Sequence, residues 1–166
     1  MVRILIAYGT TNGSTKEIAQ AVAKELQAAG HTADAVEIDK VSSPKGYDAV
    51  VIGGPVYLGH MDGRIGKFVS RHYQDLAGVP VAGFAVGLAA ASHDPEGVAW
   101  TEKALLAALD PLRPVAETVF AGKLDPENLS WWQRWITRKA RCPVGDFRDW
   151  AAIAAWARDL PGKMKL

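Results

Sequence analysis

Short apolar runs alternate along this chain with longer segments whose apolar positions recur at helical spacing. The apolar runs are Val2–Tyr8, Ala33–Ile38, Asp48–Gly53, Pro80–Gly87 and Arg113–Ala121. Their length and their content of Val, Ile and Ala are typical of strands, and the most apolar of them have the composition of strands covered on both faces. The pattern therefore predicts five strands, of which the more polar Ala33–Ile38 lies nearest an edge.

Amphipathic spacing predicts four helices between and after these strands. They are Thr15–Ala29, Arg64–Tyr73, Val98–Leu109 and Asp149–Leu160. Ser14 and Glu17 have the spacing of a capping box, which places the start of the first helix there. Strands that alternate with helices predict an α/β fold, with a parallel sheet covered on both sides. Five strands in so short a chain favour the doubly wound strand order 2-1-3-4-5.

The segment Gly122–Arg148 is an insertion in this alternation, because it is far longer than the usual connection after a strand. If this segment forms a helix from Ser130, its apolar residues lie on one side and its polar, basic residues lie on the other. The apolar side carries Trp131, Trp132, Trp135, Ile136 and Ala140, and the polar side carries Gln133, Arg134, Thr137, Arg138 and Arg141. Such a segment is suited to peripheral membrane contact through its three tryptophans, or to docking a partner. Packing of the same tryptophans against their own domain explains the pattern equally well.

The amino-acid composition favours an ordinary single-domain globular protein. A chain of 166 residues with 49% apolar and 22% charged residues is typical of one globular domain, so residues 1–166 are expected to form a single domain. The net charge of +1 gives no reason to expect a nucleic-acid partner. Cys142 is the one cysteine, so no cysteine metal cluster or internal disulfide is expected, and no metal site is predicted. With no leader pattern and no apolar run of ~20 residues, a cytoplasmic location is expected.

The stretch YGTTNGSTKEIA, from Tyr8 to Ala19, follows the first predicted strand and opens the first predicted helix. A helix N-terminus in this position favours an anion. A Walker loop requires Lys where Ser14 stands, and a Rossmann loop requires three glycines where only Gly9 and Gly13 occur. The candidate ligands of a phosphate monoester are Thr10, Thr11, Asn12, Gly13, Ser14 and Thr15. A polar turn that merely caps the helix remains the alternative.

This loop resembles the FMN phosphate loop of the flavodoxins, with Asn12 where Thr is usual. GYDAVVIGGPVYLGH and FAVGLAAASHDPEG resemble the two flavin-contacting loops of the same family. The resemblance implies a flavodoxin-like fold that binds FMN non-covalently. It implies that one side of the isoalloxazine meets Pro55, Val56, Tyr57, Leu58, Gly59 and His60, and the other side meets Gly87, Leu88, Ala89 and Ala90. Both loops follow strands that flank the switch point, where ligands bind in open α/β sheets.

Four stretches are similar to the menaquinone-dependent protoporphyrinogen oxidases: VVIGGPVYLGH, which belongs to the first of these loops, FAGKL, SWWQRWITRKARC and GDFRDWAAIAAWA. This similarity implies an FMN-dependent oxidoreductase of haem biosynthesis that takes electrons from a porphyrinogen and passes them to a quinone. It also gives the insertion a reason to associate with the inner face of a membrane. No residue stands out as a catalytic acid or base, and Tyr57 and His60 are the candidates. An electron carrier between protein redox partners is the alternative, although carrier flavodoxins are strongly acidic.

Overall fold

A parallel sheet forms the centre of the chain. The computed structural model describes residues 1–11, 13–57, 59–91, 94–124, 131, 134–135, 138 and 145–166. The parallel strands are β1 (Arg3–Tyr8), β2 (Thr32–Glu37), β3 (Ala49–Tyr57), β5 (Val81–Gly87) and β6 (Ala116–Ala121). Between β3 and β5 in sequence, the two-residue strand β4 (His60–Met61) pairs with the end of β3. The order is β2-β1-β3-β5-β6, which confirms the predicted doubly wound, flavodoxin-like fold class.

The helices cover both faces of this sheet. They are α1 (Ser14–Ala28), α2 (Gly63–Arg71), α3 (Tyr73–Ala77), α4 (Pro95–Leu109) and α5 (Trp150–Met164). Helix α4 begins three residues before its predicted start at Val98, because the Asp94 side chain caps it and Pro95 occupies its first turn. Helix α5 continues through Pro161 beyond its predicted end at Leu160, and it buries Met164 in its last turn.

Alternate residues of β1 belong to two separate cores. Ile4 and Ile6 pack with residues of α1 and α5 on one face of the sheet. Leu5 and Ala7 pack with residues of α2 and α4 on the other face. Because both faces are covered, the strand reads as a continuous apolar run in the sequence.

The ends of the insertion are held together by a second, two-stranded sheet that the sequence did not predict. Its strands are β7 (Lys123–Leu124) and β8 (Gly145–Asp146), which pair antiparallel. The described residues between these strands are Trp131, Arg134, Trp135 and Arg138, and all four are helical, as the amphipathic pattern predicted. The remaining residues of that predicted helix, among them Trp132, lie outside the described residues. Within the described part of the chain, no helix has the length and apolar character needed to cross a bilayer.

Candidate functional site

The carboxyl ends of β1 and β3 meet at one edge of the sheet and bring two of the predicted loops together. Tyr8 and Gly53 are register partners, and the next amide, Gly9 N–H, donates to the Gly53 carbonyl oxygen at 2.9 Å. The loop into α1 therefore starts beside the last residue of β3 that pairs with β1. This is the edge at which open α/β sheets bind ligands.

The start of α1 differs from the predicted capping box. Its N-cap is Gly13, in the left-handed region with φ 86°, and Ser14 is already in the first helical turn. The capping-box prediction is therefore wrong. The Thr10 hydroxyl oxygen accepts a hydrogen bond from Gly13 N–H at 2.9 Å, and the Glu17 carboxylate pairs with Arg148 instead of turning back to Ser14. Of the other candidate phosphate ligands, Thr15 is buried and Asn12 lies outside the described residues.

Helix α1 has no side-chain cap, whereas the other long helices of the described chain each have a carboxylate cap. Asp62, Asp94 and Asp149 accept first-turn N–H groups of α2, α4 and α5 at 3.0, 3.1 and 3.0 Å. Among the described residues, no side chain does so at α1. Its first-turn N–H groups and its dipole are therefore left to an external acceptor, and a phosphate monoester has the charge and the oxygen atoms to fill that role.

The second predicted loop is a β-hairpin. Val56 pairs with Met61 and Tyr57 pairs with His60 across β3 and β4. Gly59 has a φ of 79°, a conformation that side chains rarely adopt, and it turns the chain between the two strands. Because directly opposed residues of an antiparallel pair project to the same side, the Tyr57 and His60 side chains stand next to each other.

A cleft of about 400 Å³ separates this hairpin from the loop into α1. It is lined by Thr11, Pro55, Tyr57, His60, Met61, Asp62 and Arg64. Its volume is within the usual range of small-molecule sites. Four of these residues were predicted, and Met61, Asp62 and Arg64 were missed. Val56, another predicted contact, packs on the core beneath the hairpin, and the predicted Leu58 lies outside the described residues.

Asp62 and Arg64 form the charged wall of the cleft. Arg64 Nη2 lies 2.6 Å from Asp62 Oδ2, and Arg64 Nη1 lies 2.8 Å from Asp39 Oδ2. Burial raises the pKa of Asp62, but its hydrogen bonds from Arg64 outweigh that effect and hold the pKa below its usual value. The hydrogen bonds that Arg64 donates to the Asp62 and Asp39 carboxylates raise the pKa of Arg64 further above its ordinary value. Both groups are therefore charged at neutral pH. The sequence signal for Asp62 was its position as an N-cap, but Asp39 is 25 residues from Arg64, so no local pattern links them.

The third predicted loop lies at the end of β5. Gly87 ends that strand, and the 3-10 turn Leu88–Ala90 follows it. Helix α4 packs closely on this turn, since a Cβ placed on Gly97 would lie 2.8 Å from the Ala89 Cβ. None of these predicted residues is among those that line the cleft beside the hairpin. Their contact with an isoalloxazine stays a prediction.

Comparison with known proteins defines the class. The chain belongs to the flavodoxin domain family, whose sequence pattern it matches over residues 5–147. FMN is accordingly its cofactor, and the uncapped start of α1 beside a cleft with aromatic and apolar walls fits that group. The chain is a flavodoxin-like oxidoreductase.

Two curated relatives match almost the whole chain. It is 28% identical to the protoporphyrinogen IX dehydrogenase [quinone] of Escherichia coli strain K12, over 96% of this chain and 94% of that one. It is 27% identical to the Leishmania major protein of the same name, over 95% of this chain and 74% of that one. Among solved structures, oxidised flavodoxin 2 from Bacillus cereus shares the fold, with a TM-score of 0.55, 21% identity, and coverage of 98% of this chain and 97% of that one.

Proposed function

We propose that this protein oxidises a porphyrinogen and delivers the electrons to a quinone. The observation that carries the proposal is the 28% identity to a quinone-linked protoporphyrinogen IX dehydrogenase, which extends over 96% of the chain. The cleft beside the loop into α1 supports a flavin site there, on which the proposed oxidation would depend.

In the proposed site, the chain binds the FMN phosphate at the start of α1 through main-chain N–H groups and the short hydroxyl side chains. The predicted ligands are Thr10, Thr11, Asn12, Gly13, Ser14 and Thr15. The hairpin and the turn that follows β5 would hold the flavin ring between them. Bound FMN would supply the chemistry of hydrogen transfer between a reduced substrate and a quinone.

Tyr57 and His60 are the proposed substrate-facing residues of the hairpin. Both line the cleft, and they are paired across β3 and β4. The Tyr57 ring offers a flat face against which a flavin or an aromatic substrate can stack. The His60 imidazole offers a hydrogen-bonding group beside it. Their role is to bind and orient the reactants.

The insertion is the proposed contact with the membrane in which the quinone is dissolved. Trp131 is 81% exposed and Trp135 is 59% exposed, which argues against burial of these two rings in their own domain. Arg134 and Arg138 are also helical and exposed. Exposed tryptophans next to cationic side chains fit the interface of an anionic bilayer.

An anaerobic reductive titration of the FMN-loaded protein tests this function. Protoporphyrinogen should bleach the flavin absorbance, and a menaquinone analogue should then restore it, with rates that saturate in each substrate. A flavin that porphyrinogen does not reduce, but that exchanges electrons with a flavodoxin reductase and forms a stable one-electron state, would instead identify a carrier. Protein that binds no added FMN would contradict both functions.

A further inference from the structure

Arg148 is an almost fully buried cation at the end of the insertion. Its side chain is 5% exposed, and its Nη1 lies 2.6 Å from Glu17 Oε2. Its Nη2 lies 2.7 Å from Asp146 Oδ2, and its guanidinium carbon lies 4.7 Å from the centre of the Trp150 ring. The residue therefore joins β8, the start of α5 and the first turn of α1, although Glu17 and Arg148 are 131 residues apart in sequence.

Glu17 occupies a position where its charge affects the proposed phosphate site. Its N–H donates to the Gly13 carbonyl oxygen at 3.3 Å, so it closes the first turn of α1. Helical side chains lean toward the N-terminus of their helix, which brings the Glu17 carboxylate toward the same end that receives the phosphate. A carboxylate there interacts favourably with the helix dipole, but it repels a phosphate dianion.

We propose that Arg148 is a positioning residue of the FMN phosphate site, which it serves by neutralising Glu17 and fixing that carboxylate at the side of α1. The inference rests on the phosphate location proposed above. A buried guanidinium with a carboxylate on each of two sides has little freedom to move, so it holds Glu17 in one place. Asp146 would otherwise add a second negative charge, but Lys123 is its register partner on the paired strand and places a second cation beside it.

The test compares FMN with riboflavin, which lacks the phosphate, as ligands of the apoprotein. Flavin fluorescence quenching gives both dissociation constants. Because Arg148→Gln leaves Glu17 and Asp146 without their guanidinium, we expect it to weaken FMN binding about five- to twentyfold and to leave riboflavin binding nearly unchanged. Arg148→Lys, which keeps the charge, should retain most of the FMN affinity. The loss in Arg148→Gln should be smaller at high salt, since ions screen the repulsion.

Two further variants keep the test decisive. Glu17→Gln removes the repelling charge, so it should strengthen FMN binding relative to riboflavin and should reverse the loss when combined with Arg148→Gln. Because Glu17→Gln does not depend on the folding of Arg148→Gln, a fall in its FMN affinity relative to riboflavin would overturn the proposal by itself. Arg158→Gln is the matched control: Arg158 also joins α5 to α1, through Glu25 at 2.9 Å, but farther along the helix from the phosphate site.

The outcomes separate this inference from the proposed function. If the wild-type protein binds riboflavin as tightly as FMN, the phosphate location is wrong and Arg148 has no such role. If the wild-type protein discriminates but Arg148→Gln weakens both flavins equally, Arg148 is a structural ion pair only. Selective loss of FMN in Arg148→Gln, with no selective loss in Arg158→Gln, establishes the positioning role.

Discussion

Arg64 Nη2 donates a hydrogen bond to the main-chain carbonyl oxygen of Thr10 at 2.9 Å, and this bond ties α2 to the loop that opens α1. The same guanidinium pairs with Asp62 at the end of the hairpin and with Asp39 after β2. The Arg64 side chain therefore joins the loop into α1, the end of the hairpin and the segment after β2. The relative positions of these loops therefore depend on the charge of Arg64 and on the hydrogen bonds that it donates.

Replacement of Arg64 by Gln should loosen this edge of the sheet. The Asp62 carboxylate is mostly buried and would lose its cation, so we expect Arg64→Gln to lower the free energy of unfolding by about 1–3 kcal/mol. Asp62→Asn in the same background should recover part of the loss. Urea denaturation of the apoprotein measures both. Arg158→Gln breaks the more exposed pair with Glu25 and should lower the free energy of unfolding by less than about 1 kcal/mol. Equal losses in Arg64→Gln and Arg158→Gln would show that Arg64 stabilises the fold no more than an exposed ion pair does.

The dependence of stability on pH should reveal the ion pair between Asp146 and Arg148. Hydrogen bonds from Arg148 lower the pKa of Asp146 from 3.8 to about 2. Because the folded-state pKa is depressed, the stabilisation is fully present above the unfolded-state value and is lost as the pH falls through about 2. The difference in unfolding free energy between the wild type and Asp146→Asn should therefore be constant above about pH 5 and should shrink as the pH approaches 2. A difference that does not change over this range would argue against the pair.

The sequence predicted the sheet because its strands are apolar on both faces, and it predicted the ligand edge because strand order determines which loops meet. It missed features that depend on contacts distant in sequence. Arg64 and Thr10 are 54 residues apart, so no local pattern joins them. The failed capping box has a different cause. Ser14 and Glu17 satisfy its spacing, but the left-handed Gly13 moves the cap one residue earlier, and Arg148 takes the Glu17 carboxylate.

Two glycines should respond in opposite ways to the same substitution. A Cβ on Gly53 would overlap the Phe84 ring, which packs against β3 in the core. Gly53→Ala should therefore lower the free energy of unfolding by about 1–3 kcal/mol through overpacking. Gly66 lies within α2 and a Cβ there would meet nothing within 4 Å, so Gly66→Ala should stabilise the protein by about 0.5–1 kcal/mol.

Denaturation midpoints of the two variants give this comparison directly. Phe84→Leu combined with Gly53→Ala should lose less stability than the sum of the two single changes, because the smaller side chain relieves the overlap. Strictly additive losses would show that the Phe84 ring is not what excludes a side chain from position 53.

The Tyr57 ring should matter to flavin binding more than its hydroxyl group does. If the ring lies against the flavin, Tyr57→Ala loses an aromatic contact worth about 0.5–1.5 kcal/mol beyond the area that it buries, which corresponds to a several-fold rise in the FMN dissociation constant. Tyr57→Phe keeps the ring and should bind FMN almost as the wild type does. Fluorescence titration distinguishes the two, and equal weakening in both variants would assign the effect to the hydroxyl group instead.

The exposed tryptophans of the insertion should contribute to membrane binding, whereas an exposed tryptophan elsewhere in the chain should not. Trp131→Ser combined with Trp135→Ser should reduce sedimentation of the protein with vesicles of phosphatidylglycerol and phosphatidylethanolamine at least severalfold, because both rings lose their apolar contact with the interface. Trp100, on α4, is 72% exposed and provides the control, since Trp100→Ser removes an exposed ring outside the insertion. Vesicles without anionic lipid should bind the wild type less well, because the neighbouring arginines then lose their attraction to the surface.

If the double variant sediments like the wild type, or if Trp100→Ser has the same effect, the insertion is not the membrane contact. Loss of quinone reduction from vesicles, with reduction of a water-soluble quinone unchanged, would connect that contact to the supply of the electron acceptor.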